Sequence, residues 1–190
     1  MRLRYVFGLL FFVAAAAVLQ MALIPAFLPP LLRPDVGMLI GMAALAFAPR
    51  EFGLLCVFAL GLQADLFGSA RFGLLTLCYL LAAGLVLWAA WRELTRGDLL
   101  AAWVGGIVGT AIAHTLYLLL GRLCGVPVPW GTALLTLLTL VLAACVWGLL
   151  SAWACGRFMY RLHLFSPQVR ERWAMEDRLA AARRGKVLRA

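Results

Sequence analysis

The chain has 190 residues, of which 65% are hydrophobic and only 13% are charged, and its formal net charge is +9. A water-soluble domain of this length would need many more polar side chains to cover its surface, so the composition excludes that class and predicts a protein that lies in lipid. Because long continuous apolar runs do not fit the alternating pattern of a membrane β-barrel, we expect an all-α fold with about six transmembrane helices.

The first apolar run covers 5–28 and follows two arginines. The small residues at 14–17 resemble the cleavage site of a secretory signal peptide, but the apolar core of such a peptide has only about 7–15 residues. Since a hydrocarbon core needs about 20 residues, we interpret the run as an uncleaved first helix. Proline has no backbone N–H and biases the preceding residue away from helix, so a group of prolines predicts the end of this helix. These prolines are Pro25, Pro29 and Pro30.

Five further apolar segments predict five further helices. Their ranges are 36–48, 52–67, 72–91, 99–120 and 132–155. The first of these segments follows Arg33-Pro34-Asp35 and, like the next one, is short for a membrane span. At about 1.5 Å per residue it covers only about 20 Å of a hydrocarbon core roughly 30 Å thick, so we expect neighbouring protein or a thinned bilayer to make up the difference.

The distribution of basic residues predicts the orientation in the membrane. Lysine and arginine near helix ends are retained on the cytoplasmic side. If the N-terminus is inside, the outside loops contain only Arg33, Arg71 and Arg122 of the 17 basic residues. We therefore expect a multi-pass protein whose N-terminus and C-terminus both lie in the cytoplasm.

The composition divides the chain into a six-helix transmembrane domain, 1–160, and a basic cytoplasmic tail, 161–190, which we expect to be helical and exposed to water. Ser166-Pro167 predicts the start of a helix and Gly185 its end. Two interpretations of the tail are open: a solvated juxtamembrane helix, or a segment that contacts anionic lipid headgroups or a cytoplasmic partner. Its apolar stripe is weak and consists of Val169, Trp173, Met175 and Leu179.

Polar residues are rare inside the predicted helices, and a charge at membrane depth is costly unless it has a partner. Gln63 and Asp65 lie near the outer end of the third helix. Asp65 either reaches the interface or pairs with Arg33 or Arg71, or it is a buried anchor that organises the second and third helices against the bundle. Asp65 is therefore a candidate site residue with two alternative roles.

His114 shares one helical face with Gly106 and Thr110, at spacings of four residues, which predicts that it points into protein. It is either packed and hydrogen-bonded, or it acts as a ligand or a proton relay. Because the sequence has no second His, Cys or carboxylate at ligand spacing from it, we expect no metal site. The five cysteines are widely spaced and are interpreted as apolar packing residues.

Small residues four positions apart allow two helices to approach closely. Gly37 and Gly41 have this spacing in the second helix, and Gly105 and Gly109 have it in the fifth. Such faces pack helices within one chain or between two copies, so a homodimer is an alternative to internal packing.

Motifs of catalytic sites are absent from the sequence, which contains no P-loop, no HExxH and no GxSxG. We therefore expect no enzymatic activity and no cofactor. The positive charge follows the membrane topology and the tail, so we expect the lipid bilayer, and not nucleic acid, to be the partner of the basic residues.

The region 33–80 resembles a known family. Arg33-Pro34-Asp35 opens a short apolar helix, and a later run reads Gly61-Leu-Gln-Ala-Asp65-Leu-Phe-Gly68-Ser-Ala-Arg-Phe-Gly73-Leu-Leu-Thr-Leu-Cys-Tyr79-Leu. Both are similar to the R-P-D/N start and to the following turn and helix of the rod shape-determining protein MreD family of bacteria. Chain length, helix count and short loops are similar as well, whereas the tail from Ser166 is longer than the family implies.

This resemblance implies a non-enzymatic scaffold of the cell-elongation machinery in the bacterial inner membrane, which maintains rod shape and directs peptidoglycan synthesis. The implied direct partner is the periplasmic-facing shape protein MreC, and the indirect partners are the actin-like MreB, the glycosyltransferase RodA and a penicillin-binding transpeptidase. The family fold is similar to the substrate-binding subunits of energy-coupling-factor transporters, so a vitamin-transporter subunit is the alternative function. A transporter pocket needs several polar or aromatic groups, and the predicted outer region offers few of them, namely Arg33, Asp65, Arg71 and Trp130.

The candidates for structural or partner contacts are the motif residues, the glycines of the packing faces and the polar residues inside helices. They are Arg33, Pro34, Asp35, Gly37, Gly41, Asp65, Gly68, Gly73, Tyr79, Gly105, Gly109 and His114.

Overall fold

The computed structural model describes residues 3–29, 32–67, 72–90, 98–125, 130–166, 169–171 and 173–175. All regular structure in these ranges is helical and they contain no β-strand, which confirms the all-α class. Gly68 and Arg71 lie outside the described residues, as do Leu179 and Gly185 in the tail.

The first helix has three parts: α1, Leu3–Val18, continues through a π-helical turn, Leu19–Leu23, into α2, Ile24–Phe27. The other helices are α3 (Val36–Phe47), α4 (Arg50–Phe67), α5 (Leu74–Ala90), α6 (Leu99–Leu123) and α7 (Trp130–Arg161). Three helical stretches are long and apolar enough to cross a membrane, namely Tyr5–Phe27, Leu99–Leu123 and Gly131–Arg161. Their length and composition indicate a membrane protein.

Pro25 does not end the first helix, contrary to the sequence prediction, because the helix runs on to Phe27. A proline inside an α-helix removes one hydrogen bond and clashes with the carbonyl four residues earlier. The π-helical turn that immediately precedes α2 widens the helix at this point, and such irregularities accommodate a proline. The helix ends at Leu28, which is extended (φ −117°, ψ 134°) because Pro29 follows it.

Helix α3 is enclosed by other helices, and eleven of its twelve residues are buried. It packs against α1, α4, α6 and α7. Neighbouring protein therefore surrounds this short helix on all sides, as one of the two sequence-based alternatives expected. A helix that touches little lipid does not need the length of a full span.

Two helices extend beyond their predicted ends. Helix α7 continues past Cys155 to Arg161, since arginine is a good helix former and the end of the apolar run is not the end of the helix. Helix α6 runs to Leu123, and it begins after Asp98, whose side chain caps it by accepting a hydrogen bond from the Leu100 N–H at 3.2 Å.

Side-chain contacts show which helix ends lie together at each end of the molecule. The ring of Tyr5 lies 5.2 Å from that of Phe52, and the ring of Phe12 lies 5.6 Å from that of Phe158. The starts of α1 and α4 and the C-terminal part of α7 thus share one end, which we call the aromatic end. The starts of α3 and α5 and the C-terminal half of α6 share the opposite end, which we call the polar end because Asp35, Tyr79 and His114 meet there.

Helix α7 ends in a turn that sends the chain back onto the bundle. His163 has a positive φ of 53°. The Leu164 N–H donates to the Met159 carbonyl at 3.0 Å, and the His163 N–H donates to the Tyr160 carbonyl at 3.1 Å. This pattern is a Schellman motif, in which the left-handed position of His163 is usually taken by glycine.

The segment after this turn is partly buried, so the expectation that the whole tail is exposed to water is wrong for Leu164, Phe165, Ser166 and Val169. The Ser166 N–H donates at 3.1 Å to the carbonyl of Phe47, the last residue of α3, which would otherwise lack a helical partner. The Trp173 ring packs against the rings of Phe47 and Phe165, at 5.9 Å and 5.1 Å. Aromatic burial and one backbone bond therefore dock the start of the tail onto the aromatic end.

Ser166 begins a helical turn, because the Arg170 N–H donates to the Ser166 carbonyl at 3.0 Å. The Ser166 hydroxyl, which was predicted to cap this helix, has no hydrogen-bond partner among the described residues. The division of the chain at residue 160 remains a prediction.

Candidate functional site

Three polar side chains from three helices meet at the polar end. Asp35 is the N-cap of α3, and its Oδ1 accepts a hydrogen bond from the Met38 N–H at 3.1 Å. The Tyr79 hydroxyl of α5 donates to the same carboxylate, 2.5 Å from Oδ1. His114 of α6 places its Nε2 3.6 Å from Asp35 Oδ2. We call Asp35, Tyr79 and His114 the Asp35 cluster.

The Asp35 side chain is only 4% exposed, so its carboxylate has lost most of its hydration and needs compensating partners. The Met38 N–H, the Tyr79 hydroxyl and the positive end of the α3 dipole provide them. His114 Nδ1 lies 3.0 Å from the Thr110 carbonyl, which can only accept, so this geometry assigns a hydrogen to Nδ1 and leaves Nε2 facing the carboxylate. The 3.6 Å distance between His114 Nε2 and Asp35 Oδ2 is too long for a hydrogen bond.

The Asp35 cluster links three helices, and its chemistry is that of a buried hydrogen-bonded network. The described residues contain no group of three His, Cys, Asp or Glu side chains that could hold a metal ion. His114 does have a carboxylate neighbour, which the sequence spacing did not indicate because Asp35 comes from another helix.

Asp65 forms a second buried link at the polar end. Its Oδ1 accepts a hydrogen bond from the Leu75 N–H at 2.9 Å, and its Oδ2 accepts from the Thr76 N–H at 2.8 Å and from the Thr76 hydroxyl. Leu75 and Thr76 lie in the first turn of α5, whose N–H groups have no partners within the helix. Asp65, at the end of α4, therefore caps α5 across the turn between them.

Of the two interpretations of Asp65, the structure agrees with the buried anchor. Asp65 anchors α5 to α4. Pairing with Arg33 is wrong, because the Arg33 guanidinium donates to the carbonyls of Leu28, at 3.2 Å, and Pro25, at 3.4 Å. Pairing with Arg71 falls outside the described residues.

Gln63 connects α4 to α1. With its amide nitrogen directed to the Val13 carbonyl, Gln63 donates there at 2.9 Å and accepts from the Ala17 N–H at 2.9 Å. Val13 and Ala17 are the acceptor and the donor of one position of the α-helical hydrogen-bond ladder. Gln63 therefore ties α4 to the backbone of the first helix.

The glycine faces pack inside the molecule. A Cβ atom at Gly41 would lie 3.0 Å from Cγ2 of Val57 on α4. At Gly109, on α6, a Cβ would lie 2.7 Å from Cε of Met38 on α3. Both distances are shorter than ordinary contacts, so these glycines set the separation of α3 from its two neighbours.

The other two glycines of these faces are less tightly packed. A Cβ at Gly105 would lie 3.4 Å from Met42 Cε, and a Cβ at Gly37 would lie 3.5 Å from the Tyr79 hydroxyl oxygen. Both glycines are buried. The contacts seen at these four positions are therefore internal ones.

Two further motif residues shape the polar end. Pro34 is buried directly before the Asp35 cap. Gly73 has a φ of +89°, a conformation that side chains with a Cβ rarely adopt, and its carbonyl accepts the Leu77 N–H at 3.0 Å as α5 begins. Both residues therefore position a helix start.

Gly53 and Gly61 of α4 lie directly against the backbone of a neighbouring helix, although neither was predicted to be a packing glycine. A Cβ at Gly53 would lie 2.8 Å from Leu45 Cα, and a Cβ at Gly61 would lie 2.8 Å from Thr76 Cα. These two glycines are eight residues apart, which places them on one face two turns apart. That spacing was the signal that could have identified them.

Asp35 was predicted to open α3 but was not counted among the buried charges. The signal was its place as N-cap directly before an apolar helix. Because α3 is enclosed by other helices, its cap is enclosed as well.

Comparison with known proteins gave no match to a family model, to a curated protein or to a solved structure.

Proposed function

We propose that the chain is a non-enzymatic scaffold of the bacterial cell-elongation machinery, which maintains rod shape and supports peptidoglycan synthesis. The observation that carries the proposal is the use of the polar residues in the region 33–80. Asp35 bonds to Tyr79, and Asp65 bonds to Thr76, so these side chains join helices to one another. Groups that act on a substrate would need to be accessible to it, whereas bonded and buried groups favour a rigid unit that presents its outer surfaces to other proteins.

The proposal includes a membrane arrangement with six crossings and with both termini in the cytoplasm of a bacterium. Helices α4 and α5 have 18 and 17 residues, so they would be about 27 Å and 25 Å long, close to the hydrocarbon thickness. The start of α1 and the end of α7 share the aromatic end, which supports placing both termini on one side. The proposed fold is similar to that of the substrate-binding subunits of energy-coupling-factor transporters.

Cysteine labelling tests this arrangement. In a cysteine-free background, Cys124 alone, half-buried at the end of α6, should react with a membrane-impermeant maleimide added from the periplasm. Arg170→Cys, at an exposed position of the docked tail, should react only after the membrane is permeabilised. The reverse pattern would contradict the orientation. Cys155 is too deeply buried to serve as the cytoplasmic reporter.

The proposed direct partner is a MreC-like protein that faces the periplasm, with MreB, RodA and a penicillin-binding transpeptidase as indirect partners. Affinity isolation of the tagged chain from bacterial membranes should recover the MreC-like protein. Because the face of Gly41 is filled by Val57, we expect Gly41→Leu to lower the thermal stability of the chain alone. If the Gly41→Leu chain instead has the melting temperature of the wild type but no longer recovers the partner, this face is the partner contact.

The alternative function, the substrate-binding subunit of a vitamin transporter, receives less support. Such a subunit needs polar groups that are free to bind a ligand. Asp35, Asp65 and Tyr79 are buried, and each is hydrogen-bonded within the chain.

A further inference from the structure

One face of the C-terminal half of α7 is apolar and becomes basic near its end. Its exposed apolar residues recur every three or four positions and stay within about 100° of the helix circumference, so they lie on one side of the helix. They are Leu142, Val146, Leu150 and Trp153. Arg157 and Arg161, both exposed, continue the same spacing one and two turns beyond Trp153. Along the helix, this face is therefore first apolar, then aromatic and finally cationic.

The length of the apolar part corresponds to one leaflet of a bilayer core. From Leu142 to Trp153 the helix rises about 16 Å, against about 15 Å for half of a hydrocarbon core roughly 30 Å thick. Leu142 is 56% exposed and Trp153 is 51% exposed, so both ends of this stretch face away from the protein. Tryptophan is enriched where the hydrocarbon meets the headgroups. Trp153 therefore marks the boundary of the hydrocarbon at the aromatic end.

Arg157 lies at the depth of the lipid headgroups, and Arg161 lies one helical turn further out. Arg157 is about 6 Å beyond Trp153 along the helix axis, and Arg161 is about 12 Å beyond it. The headgroup region adds roughly 5–8 Å on each side of the hydrocarbon. The long side chain of Arg161 can reach back toward this layer, since arginine side chains extend along apolar surfaces to place their charge at the interface.

Neither arginine pairs its charge with a group in the described part of the protein. Among the described residues, Arg157 and Arg161 make no hydrogen bond or ion pair, whereas Arg33 at the polar end is bonded to two carbonyls. The docked tail places a further exposed arginine, Arg170, at the same end of the molecule. Within the described residues, the aromatic end thus presents unpaired positive charge directly beside a lipid-sized apolar face.

We infer that Trp153, Arg157 and Arg161 form a binding site for an anionic phospholipid, with its acyl chains along the apolar face of α7 and its phosphate between the arginines. The apolar stripe distinguishes this ligand from free phosphate, which would need the arginines alone. Arginine recognises phosphate by paired N–H donors, so a lysine at the same position keeps the charge but loses the bidentate geometry.

Native mass spectrometry of the full chain in a mild detergent tests the inference, with phosphatidylglycerol and phosphatidylcholine as probes. Wild-type protein should bind phosphatidylglycerol more tightly than phosphatidylcholine. The Arg157→Gln/Arg161→Gln variant should lose roughly fivefold in phosphatidylglycerol affinity for each arginine removed, and the corresponding double lysine variant should lose less. Arg122→Gln, which removes an arginine at the polar end, is the matched control and should bind like the wild type.

Several results would overturn the inference. One is equal binding of the two lipids by the wild type, which requires no variant to fold. Another is unchanged phosphatidylglycerol binding by the double glutamine variant, or an equal loss in Arg122→Gln. Displacement of the lipid by millimolar inorganic phosphate would assign the arginines to a free anion, and displacement by polyglutamate would assign them to an acidic protein.

Discussion

The Tyr79 hydroxyl donates a hydrogen bond to the Asp35 carboxylate across 44 residues of sequence, and both side chains are almost completely buried. This bond joins the start of α3 to the first half of α5. It connects the Arg33-Pro34-Asp35 element with the helix that contains Tyr79, which are the two parts of the motif on which the proposed function rests. The two parts are far apart in sequence but in direct contact in the fold.

Replacing Tyr79 by Phe removes one donor from a buried carboxylate and leaves the ring volume almost unchanged. A hydrogen bond to a charged group contributes about 1.5–3 kcal/mol, so we expect Tyr79→Phe to destabilise the protein by that amount. Thermal unfolding of the purified chain in detergent measures the effect. Tyr117→Phe is the matched control, because Tyr117 is half-buried and its hydroxyl bonds to no described residue. Equal melting temperatures of the two variants would show that the Tyr79 bond does not stabilise the fold.

Asp65→Ala should destabilise the protein more than Asp98→Ala. Both aspartates cap a helix, but Asp65 is buried and accepts from two backbone N–H groups of α5, whereas the cap of Asp98 on Leu100 is exposed to solvent. Loss of the buried acceptor leaves donors unsatisfied at about 1–3 kcal/mol, while water can replace the exposed cap. Asp65→Asn keeps one acceptor oxygen and should lie between wild type and Asp65→Ala. Chemical unfolding gives the three free energies, and a larger loss for Asp98→Ala would reject the assignment.

Two glycine-to-alanine substitutions should differ in their effect on stability. At Gly61 the new methyl group would meet the Thr76 backbone at 2.8 Å, so we expect a loss of about 1–3 kcal/mol as α4 and α5 are pushed apart. At Gly84 nothing lies within 4 Å, so Gly84→Ala should leave stability unchanged or raise it by up to about 1 kcal/mol through helix propensity. The melting temperature is the readout. A neutral Gly61→Ala variant would mean that the α4–α5 contact is looser than described.

His163→Gly should stabilise the turn after α7. The left-handed conformation costs a residue with a Cβ about 1–2 kcal/mol, and glycine avoids most of this cost. His163→Val should instead destabilise the turn, since a β-branched residue tolerates a positive φ poorly. Proteolysis of the tail reports the effect, because a weaker turn releases the segment that Ser166 and Trp173 hold on the bundle. Faster cleavage of His163→Gly than of wild type would contradict this account.

Much of the fold could be predicted from the apolar runs and their boundaries. The start of α3 after Asp35 and the start of α6 at Leu99 follow from caps and hydropathy, which are local properties. The continuation of the first helix through Pro25 could not be predicted in this way, because it depends on a π-helical turn. The extension of α7 to Arg161 could not be predicted from hydropathy, because the helix continues after its apolar run ends.

The residues of the candidate site could be predicted individually from the sequence, but the contacts between them could not. Asp35, Tyr79 and His114 were each singled out by motif or polarity, yet their meeting depends on how α3, α5 and α6 pack. The docking of the tail was missed because a basic composition predicts solvent exposure, whereas Phe165 and Trp173 bury their rings against Phe47. The burial of a few aromatic rings thus determines the position of the segment more than its charge does.

Depletion of the chain in rod-shaped bacteria, with cell shape and vitamin uptake measured in the same culture, tests the proposed function most directly. The scaffold account predicts that depleted cells become round while uptake is unchanged, and that wild-type protein supplied in trans restores the rods. Cells that stay rod-shaped but lose uptake of a vitamin would contradict the scaffold account and support the transporter alternative.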